Sequence, residues 1–526
     1  MKSQAGKRSS PRLARAILAA ALILGAALRL AGAVSQRSVG FDDGVTFLAA
    51  SGHEGEYHRT IGDGAYPVGE WVKASAWKRF IRIERPFCFQ RIGADLAAYD
   101  VHPPLYFWLL HLWGIVAGIS PLSASLLNLV LFFPTLAVLF CLARSVLEDE
   151  TAAALVVFAW ALSPAVIMVS WVSRAYCLLS LWVVLALLLQ WRWRYASAPP
   201  GFRPGAAFAA VAAAGLLTHY HFALLLAGCL AYSAVALLPR DRKRFFSQAA
   251  AFLAGGGIFA ALHPRFYLSF LLQRIQAAAT RSLSPSPRGE KTLAAFLNFF
   301  VGNLHLQKAV LAAAAALVVI AWLRRRPVAG RGRGGSAFAL FFCAWLSLSV
   351  SALYLFRLSS YQQMGIRYLS LLYPLLAFLP VLLLRSLAAV RLWPALAFCL
   401  AFACSGGVRT FHFRAQETRS PRLSRLSGDY RAAVIDNLDR VYFPRALWAI
   451  PDDTPVLAAY QETLLSRSSR LQEIRSPGLY LSRAFWPRER EGREKILGIF
   501  RRDFSIRPLS GVSPGPGEAF LLDRRR

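Results

Sequence analysis

Acidic residues are scarce in this chain. Of 526 residues only 28 are Asp or Glu, against 60 Lys and Arg, and charged residues of both signs make up 17%. Soluble domains carry about 25% charged and about 45–50% apolar residues. Here 56% are hydrophobic and the mean hydropathy is +0.43. That balance excludes a soluble globular protein and a disordered one. Cysteine is thin as well: seven residues, mostly inside apolar runs, with no Cys-x-x-Cys pair and only Cys88 clearly outside. Neither a disulfide framework nor a zinc site is indicated. Internal repeats are missing too, and with them the paired halves that many transporters show.

What is abundant is positive charge. A net charge of +32 would suggest nucleic acid as the partner of a soluble chain. Much of the surplus, however, lies in short clusters between apolar runs: Arg192 and Arg194; Arg240, Arg242, Lys243 and Arg244; Arg324, Arg325 and Arg326; Arg331 and Arg333. That is the pattern of cytoplasmic loops in a membrane protein, so the bilayer is the expected partner and nucleic acid is not.

Stretches near 20 residues of Leu, Ala, Val and Phe predict eleven spans: 13–34, 122–145, 152–173, 176–194, 205–218, 221–238, 246–262, 307–323, 336–356, 367–385 and 392–408. The first follows a basic segment and ends in Ala31-Gly32-Ala33, as a cleaved signal peptide would. Arg29 interrupts its apolar region near the cleavage point, and a retained anchor is the reading adopted. With the N-terminus inside, alternation places the basic loops after residues 194, 238 and 323 in the cytoplasm. It also gathers three polar joints on the far side: Arg174-Ala-Tyr176, Thr218-His-Tyr-His221, and Arg357 to Arg367. The scheme requires that Pro103 to Ile119 does not cross. That stretch opens with Pro-Pro and contains His111 and Gly114, which suits a helix lying in the interface.

The expected division is therefore a transmembrane domain over residues 1–408 and an extracytoplasmic domain over 409–526, with residues 35–102 forming a long outer loop. The tail reads as a small α/β unit, with a helix from Asp429 to Ile450 and a strand from Pro455 to Tyr460. Its 22 basic and 14 acidic residues are solvated-surface numbers and carry no catalytic motif. Ser284 to Arg288 and Pro327 to Ser336 read as turn-rich linkers.

The distribution of carboxylates locates the chemistry. Residues 1–408 hold only 14 Asp or Glu, and nine of them lie in the outer loop: Asp42, Asp43, Glu54, Glu56, Asp63, Glu70, Glu84, Asp95 and Asp100. Acid–base work belongs there. Asp42 and Asp43 precede a short amphipathic segment, so one role open to them is helix capping. The other is to take a proton from a hydroxyl arriving from water while a lipid-linked donor arrives from the bilayer. Asp100, His102 and the aromatic run to Trp113 suit either an interfacial belt or a site. Arg174 and Tyr176, His219 and Tyr220, and Arg367 and Tyr368 each suit a helix-end anchor taken singly. Gathered on one face, they form a cradle for a lipid phosphate.

The ordered series DDGVTFLAASG, DVHPPLYFWLLHLW, SRAYCLLSL, THYHFALLL and RYLSLLYPLL resembles the polyprenyl-phosphate-sugar-dependent glycosyltransferases of the protein O-mannosyltransferase type, family 39 with its bacterial lipid A transferase relatives. The match runs over residues 13–385. It implies an all-α polytopic membrane protein of the C-type glycosyltransferase fold, with about 11 spans, juxtamembrane helices in the first outer loop and a small C-terminal α/β tail. It further implies an inverting transferase in the bacterial inner membrane, with active site and C-terminus on the periplasmic side. The donor would be a polyprenyl-phosphate monosaccharide and the acceptor a glycan, lipid or protein hydroxyl. By position Asp42 matches the family's catalytic Asp. Asp43 stands where relatives usually carry Glu. Arg174, Tyr176, His219, Tyr220, Arg367 and Tyr368 would hold the donor phosphate, and Asp100 and His102 would shape the acceptor side. At the second joint many relatives place an Asp near the Arg, whereas here Tyr176 occupies that region, so no metal and no cofactor are expected. The alternatives are a lipid-linked-sugar transporter or flippase, and an oligosaccharide transferase or ligase.

Overall fold

A backbone surrounded by lipid has to satisfy its own hydrogen bonds, so long apolar runs become helices. The computed structural model describes residues 11–36, 38–40, 42–195, 201–269, 271–272, 299, 370–387, 392–419, 429–483, 487–509 and 518–525. Helix α1 (Pro11–Ser35) comes first. The outer loop then folds into α2 (Asp43–Ser51), α3 (Glu54–Gly62), strand β1 (Trp71–Lys73), α4 (Ala74–Lys78) and α5 (Phe89–Tyr99). Next come α6 (Leu105–Ala117), α7 (Pro121–Leu147), α8 (Glu150–Leu162), α9 (Pro164–Ser170), α10 (Tyr176–Tyr195), α11 (Phe202–Thr218), α12 (Phe222–Leu237) and α13 (Arg242–Leu262). A last long helix spans Leu392–Arg419.

Among the described residues, α1, α7, α10, α13 and the stretch Trp393–Gln416 are each long and apolar enough to cross a membrane. The chain is a multi-pass membrane protein. Predicted spans 307–323 and 336–356 lie outside the described residues, and 367–385 is described only from Ser370. At about 1.5 Å per residue α6 is about 20 Å long, short of the roughly 30 Å hydrocarbon core. The stretch expected not to cross is thus too short to do so.

The predicted span 152–173 is not one helix. It breaks at Ser163-Pro164 into α8 and α9, which meet at a bend of 53°. Proline lacks the N–H that would continue the ladder. The break leaves carbonyls near the end of α8 to be satisfied from outside. Arg29, buried on α1, reaches across: its Nη1 donates to Ala161 O at 2.8 Å and to Gly25 O at 2.9 Å. Its guanidinium lies 4.2 Å from the Phe132 ring centroid. The arginine that interrupts the first apolar run therefore braces a bent neighbour.

The tail adds β2 (Ala432–Ile435), β3 (Pro455–Ala458), β4 (Gly478–Ser482), β5 (Phe504–Pro508) and β6 (Glu518–Arg524). Together with β1 they form one six-stranded sheet in the order β1-β3-β2-β4-β6-β5. Strands β3, β2 and β4 are parallel, and β1 from the outer loop pairs antiparallel with β3, Trp71 facing Leu457. The helix expected over Asp429 to Ile450 is absent: the segment forms β2 and a short helix, Phe443–Trp448. All four residues of β2 are buried. A central parallel strand covered on both faces has no alternation, and its Ala-Ala-Val-Ile reads equally well as part of a helix. The strand expected at Pro455 is β3.

The outer loop and the tail thus make one extramembrane body. Tyr57 Oη donates to Leu438 O at 2.8 Å, Trp71 Nε1 to Arg470 O at 2.9 Å, and Lys78 Nζ to Ile450 O at 2.5 Å.

Candidate active site

Asp42 and Asp43 sit together in sequence but in different surroundings. Asp42 stands at the N-cap position of α2, yet its carboxylate makes no capping bond; its main-chain carbonyl instead accepts from Thr46 N at 3.1 Å and Thr46 Oγ1 at 3.0 Å. Capping therefore does not account for the Asp42 side chain. Its Oδ1 lies 3.4 Å from Arg174 Nη2, and the side chain is 14% exposed. Asp43, by contrast, is buried. Its Oδ2 accepts from Gly40 N at 2.7 Å and its Oδ1 from Ser173 N at 2.8 Å. It ties the start of α2 to the joint between α9 and α10. Burial raises its pKa, while the Ser173 and Gly40 amides and Arg174 work against that rise. A Cβ at Gly40 would stand 2.7 Å from Asp43 Oδ2, so a larger residue there would displace that carboxyl group. Asp43 fixes the position of Asp42 and Arg174 relative to each other.

Arg174 is buried, and its Nη1 has no hydrogen-bond partner among the described residues. Around it gather the other polar joints. Tyr176 opens α10, with its ring 6.4 Å from that of His219, and His219 lies 6.4 Å from His102 and 4.7 Å from His221. His219 Nδ1 accepts from His221 N at 3.2 Å. In the neutral ring Nε2 then carries the hydrogen and is a donor. Burial, then His221, His102 and Arg174, push the His219 pKa well down, so at neutral pH this imidazole is an uncharged donor. Tyr220 sits apart from this group: its hydroxyl is 3.0 Å from His263 Nε2, and it packs with Leu217 and Phe259. Arg367 and Tyr368 lie outside the described residues.

Asp100 and His102 form a tight pair, with Oδ1 2.6 Å from Nδ1. The residue that completes this corner comes from the tail. Arg440 Nη1 donates to Glu54 Oε1 at 2.7 Å, to Tyr99 O at 2.6 Å and, more weakly, to Asp100 Oδ2 at 3.5 Å. Burial works to raise the pKa of Asp100, but His102, Arg440 and Arg174 overcome it and hold the carboxyl well below its ordinary range. Glu54 moves the other way, up to about 8, because its burial and the Asp100 charge outweigh Arg440. Two carboxyls share one guanidinium, and Glu54 keeps the proton at pH 7.

A pH prediction follows. A carboxyl whose pKa is raised on folding supports the fold below its ordinary pKa and loses that support as pH rises through the folded value. Taking Glu54 from pH 7 to pH 9 should cost about 1.4 kcal/mol, one decade at each side of its pKa. Glu54→Gln keeps the contact to Arg440 and removes the titration. Its melting temperature should change less between pH 7 and pH 9 than that of wild type.

Sequence comparison finds no match: no family model and no curated protein matches this chain. Structure comparison does. ArnT from Cupriavidus metallidurans, bound to undecaprenyl phosphate, superposes with a TM-score of 0.56 at 13% identity, covering 98% of each chain. The same protein in its apo state gives 0.51 at 13% identity, covering 96% of this chain and 97% of the other. This chain has the C-type glycosyltransferase fold. Among the described residues, Asp42 and Asp100 of the first outer loop lie near Arg174 and His219. Asp42 meets Arg174 at 3.4 Å, and the Asp100–His102 pair lies beside His219 and Tyr176. Two groups escaped the sequence reading. Glu54 was one of nine loop acids with nothing local to distinguish it. Arg440 lies more than 300 residues from its partners, and no motif marks it.

Proposed function

We propose that this chain is an inverting glycosyltransferase that moves one monosaccharide from a polyprenyl-phosphate carrier to an acceptor hydroxyl, at the periplasmic face of a bacterial inner membrane. The Asp42–Arg174 pair carries this reading: a partly exposed carboxylate, not engaged in capping, beside a buried guanidinium whose Nη1 has no partner among the described residues. Such a nitrogen suits a phosphate oxygen, since a buried donor left without an acceptor is costly. The donor class is further supported by the undecaprenyl phosphate held by ArnT, which shares the fold.

The step is a single displacement. Asp42 takes the proton of the acceptor hydroxyl as its oxygen attacks the anomeric carbon. The bond from that carbon to the phosphate oxygen breaks on the opposite face, and the configuration inverts. Negative charge gathers on the departing polyprenyl phosphate, where Arg174 meets it and His219 Nε2–H and Tyr176 donate hydrogen bonds. Arg367 and Tyr368 complete the phosphate cradle in this reading, with Tyr220 supporting the His219 joint and Asp43 the pair itself. Asp100 and His102 face the acceptor. Arg174 supplies the cation, so transfer proceeds without a metal and survives EDTA.

Mass spectrometry of membrane lipids and lipopolysaccharide with and without the gene tests this. One hexose, pentose or uronic acid should be missing from an acceptor when the gene is removed, with its lipid-linked form accumulating. Movement of a labelled lipid-linked sugar across the membrane with no sugar transferred would identify a transporter instead.

A further inference from the structure

The mechanism leaves the partly buried guanidinium of Arg440 unexplained. Arg440 belongs to the C-terminal domain, in the connection between β2 and the Phe443–Trp448 helix, yet it extends into the outer loop of the membrane domain. There it donates to the main chain at Tyr99 and to two carboxyl groups, Glu54 and Asp100, from one nitrogen. Burying two carboxyl groups and partly burying a guanidinium is expensive, and hydrophobic packing would join the two parts with less desolvation. The surface where they meet already has such packing: Phe443 stacks with Tyr57 and meets Trp77 edge-on. An arginine at this point therefore needs a reason beyond adhesion.

The reason lies one bond further on. Asp100 Oδ1, 2.6 Å from His102 Nδ1, makes that nitrogen the protonated one, which leaves Nε2 of the neutral ring with its lone pair. His102 is the member of this chain of contacts whose ring neighbours His219. We propose that Arg440 is a positioning residue for the active site: by gripping Asp100 and the main chain beside it, it fixes the orientation of His102, so that the C-terminal domain is a working part of the site. That His102 serves sugar transfer rests on the function proposed above; that Arg440 governs His102 does not.

His102 is faced by titratable groups from four elements: Asp100 on its own loop, Arg440 from the C-terminal domain, Arg174 from the joint before α10, and the neutral His219 from the joint before α12. Burial, and after it Arg174 and Arg440, oppose its protonation, and Asp100 favours it. Removing Arg440 takes away one opposing charge and leaves Asp100 to His102 alone.

The test uses full-length protein in detergent and no substrate. Hydrogen exchange at the imidazole C2 position, followed by mass spectrometry across pH 4–9, gives a titration midpoint for each histidine. In Arg440→Met the His102 midpoint should rise by about one pH unit, while that of His263, on which Arg440 does not act, stays in place. Arg440→Gln, which can still bond to Tyr99 O and so folds if the Met variant does not, should give the same rise. Arg440→Lys keeps the charge and should restore most of the wild-type midpoint. Asp100→Asn should shift it downward. An unchanged His102 midpoint in folded Arg440→Met or Arg440→Gln would overturn the proposal, as would an equal rise at His263. Because no sugar donor is present, a negative result here leaves the transferase reading standing, and failure to find transfer would leave this result standing.

Discussion

Asp42→Asn should lower sugar transfer by about 10²- to 10⁴-fold, the usual loss when a positioned general base is removed. The melting temperature should stay close to wild type, because the amide keeps an Oδ1 that can accept from Arg174 Nη2 and the main-chain contacts to Thr46 survive the change. The same variant should bind undecaprenyl phosphate at least as tightly as wild type, since it removes a negative charge from beside the phosphate position. Loss of turnover with retained binding separates a base from a binding residue. A carboxylate whose main duty is to neutralise Arg174 would show the reverse pattern: the isosteric amide would cost stability and leave the rate largely intact.

Arg174→Gln should affect both binding and rate. Truncating a buried, hydrogen-bonded charge costs about 2–4 kcal/mol, or roughly 30- to 1,000-fold in undecaprenyl phosphate affinity, and leaves the phosphate without a counter-charge in the transition state. Arg174→Lys should recover little, because a point ammonium does not present two separated nitrogens, one to Asp42 and one to the lipid phosphate. Isothermal or fluorescence titration with undecaprenyl phosphate measures the first effect, and the transfer assay the second. Affinity within threefold of wild type in Arg174→Gln would remove this residue from the phosphate cradle.

The sequence made these residues legible for a physical reason. In a chain this poor in acids, nine carboxylates in one loop stand out, and basic residues at helix ends need a reason to lie on the same side. Order along the chain supplied the rest, as the Asp42, Asp100, Arg174 and His219 segments recur at successive outer joints. Two features were less legible. The bend at Pro164 was visible as a proline but not as a break, because the apolar run continues through it on both sides. The sheet was hidden because its pairing is long-range: β1 in the outer loop joins β3 nearly 400 residues later, and β2 is too short and too uniformly apolar to declare itself a strand. Arg440 was invisible for the same reason, since its meaning comes from that assembly and not from its neighbours in sequence.

The central claim is that a lipid phosphate sits between Arg174 and its basic neighbours, with Asp42 on the water side of the reacting carbon. A cryo-EM structure of the full chain in nanodiscs with undecaprenyl phosphate tests it most directly. The account places a phosphate oxygen within about 3 Å of Arg174 Nη1. Phosphate density seated elsewhere, with Arg174 still closed on Asp42 alone, would contradict it.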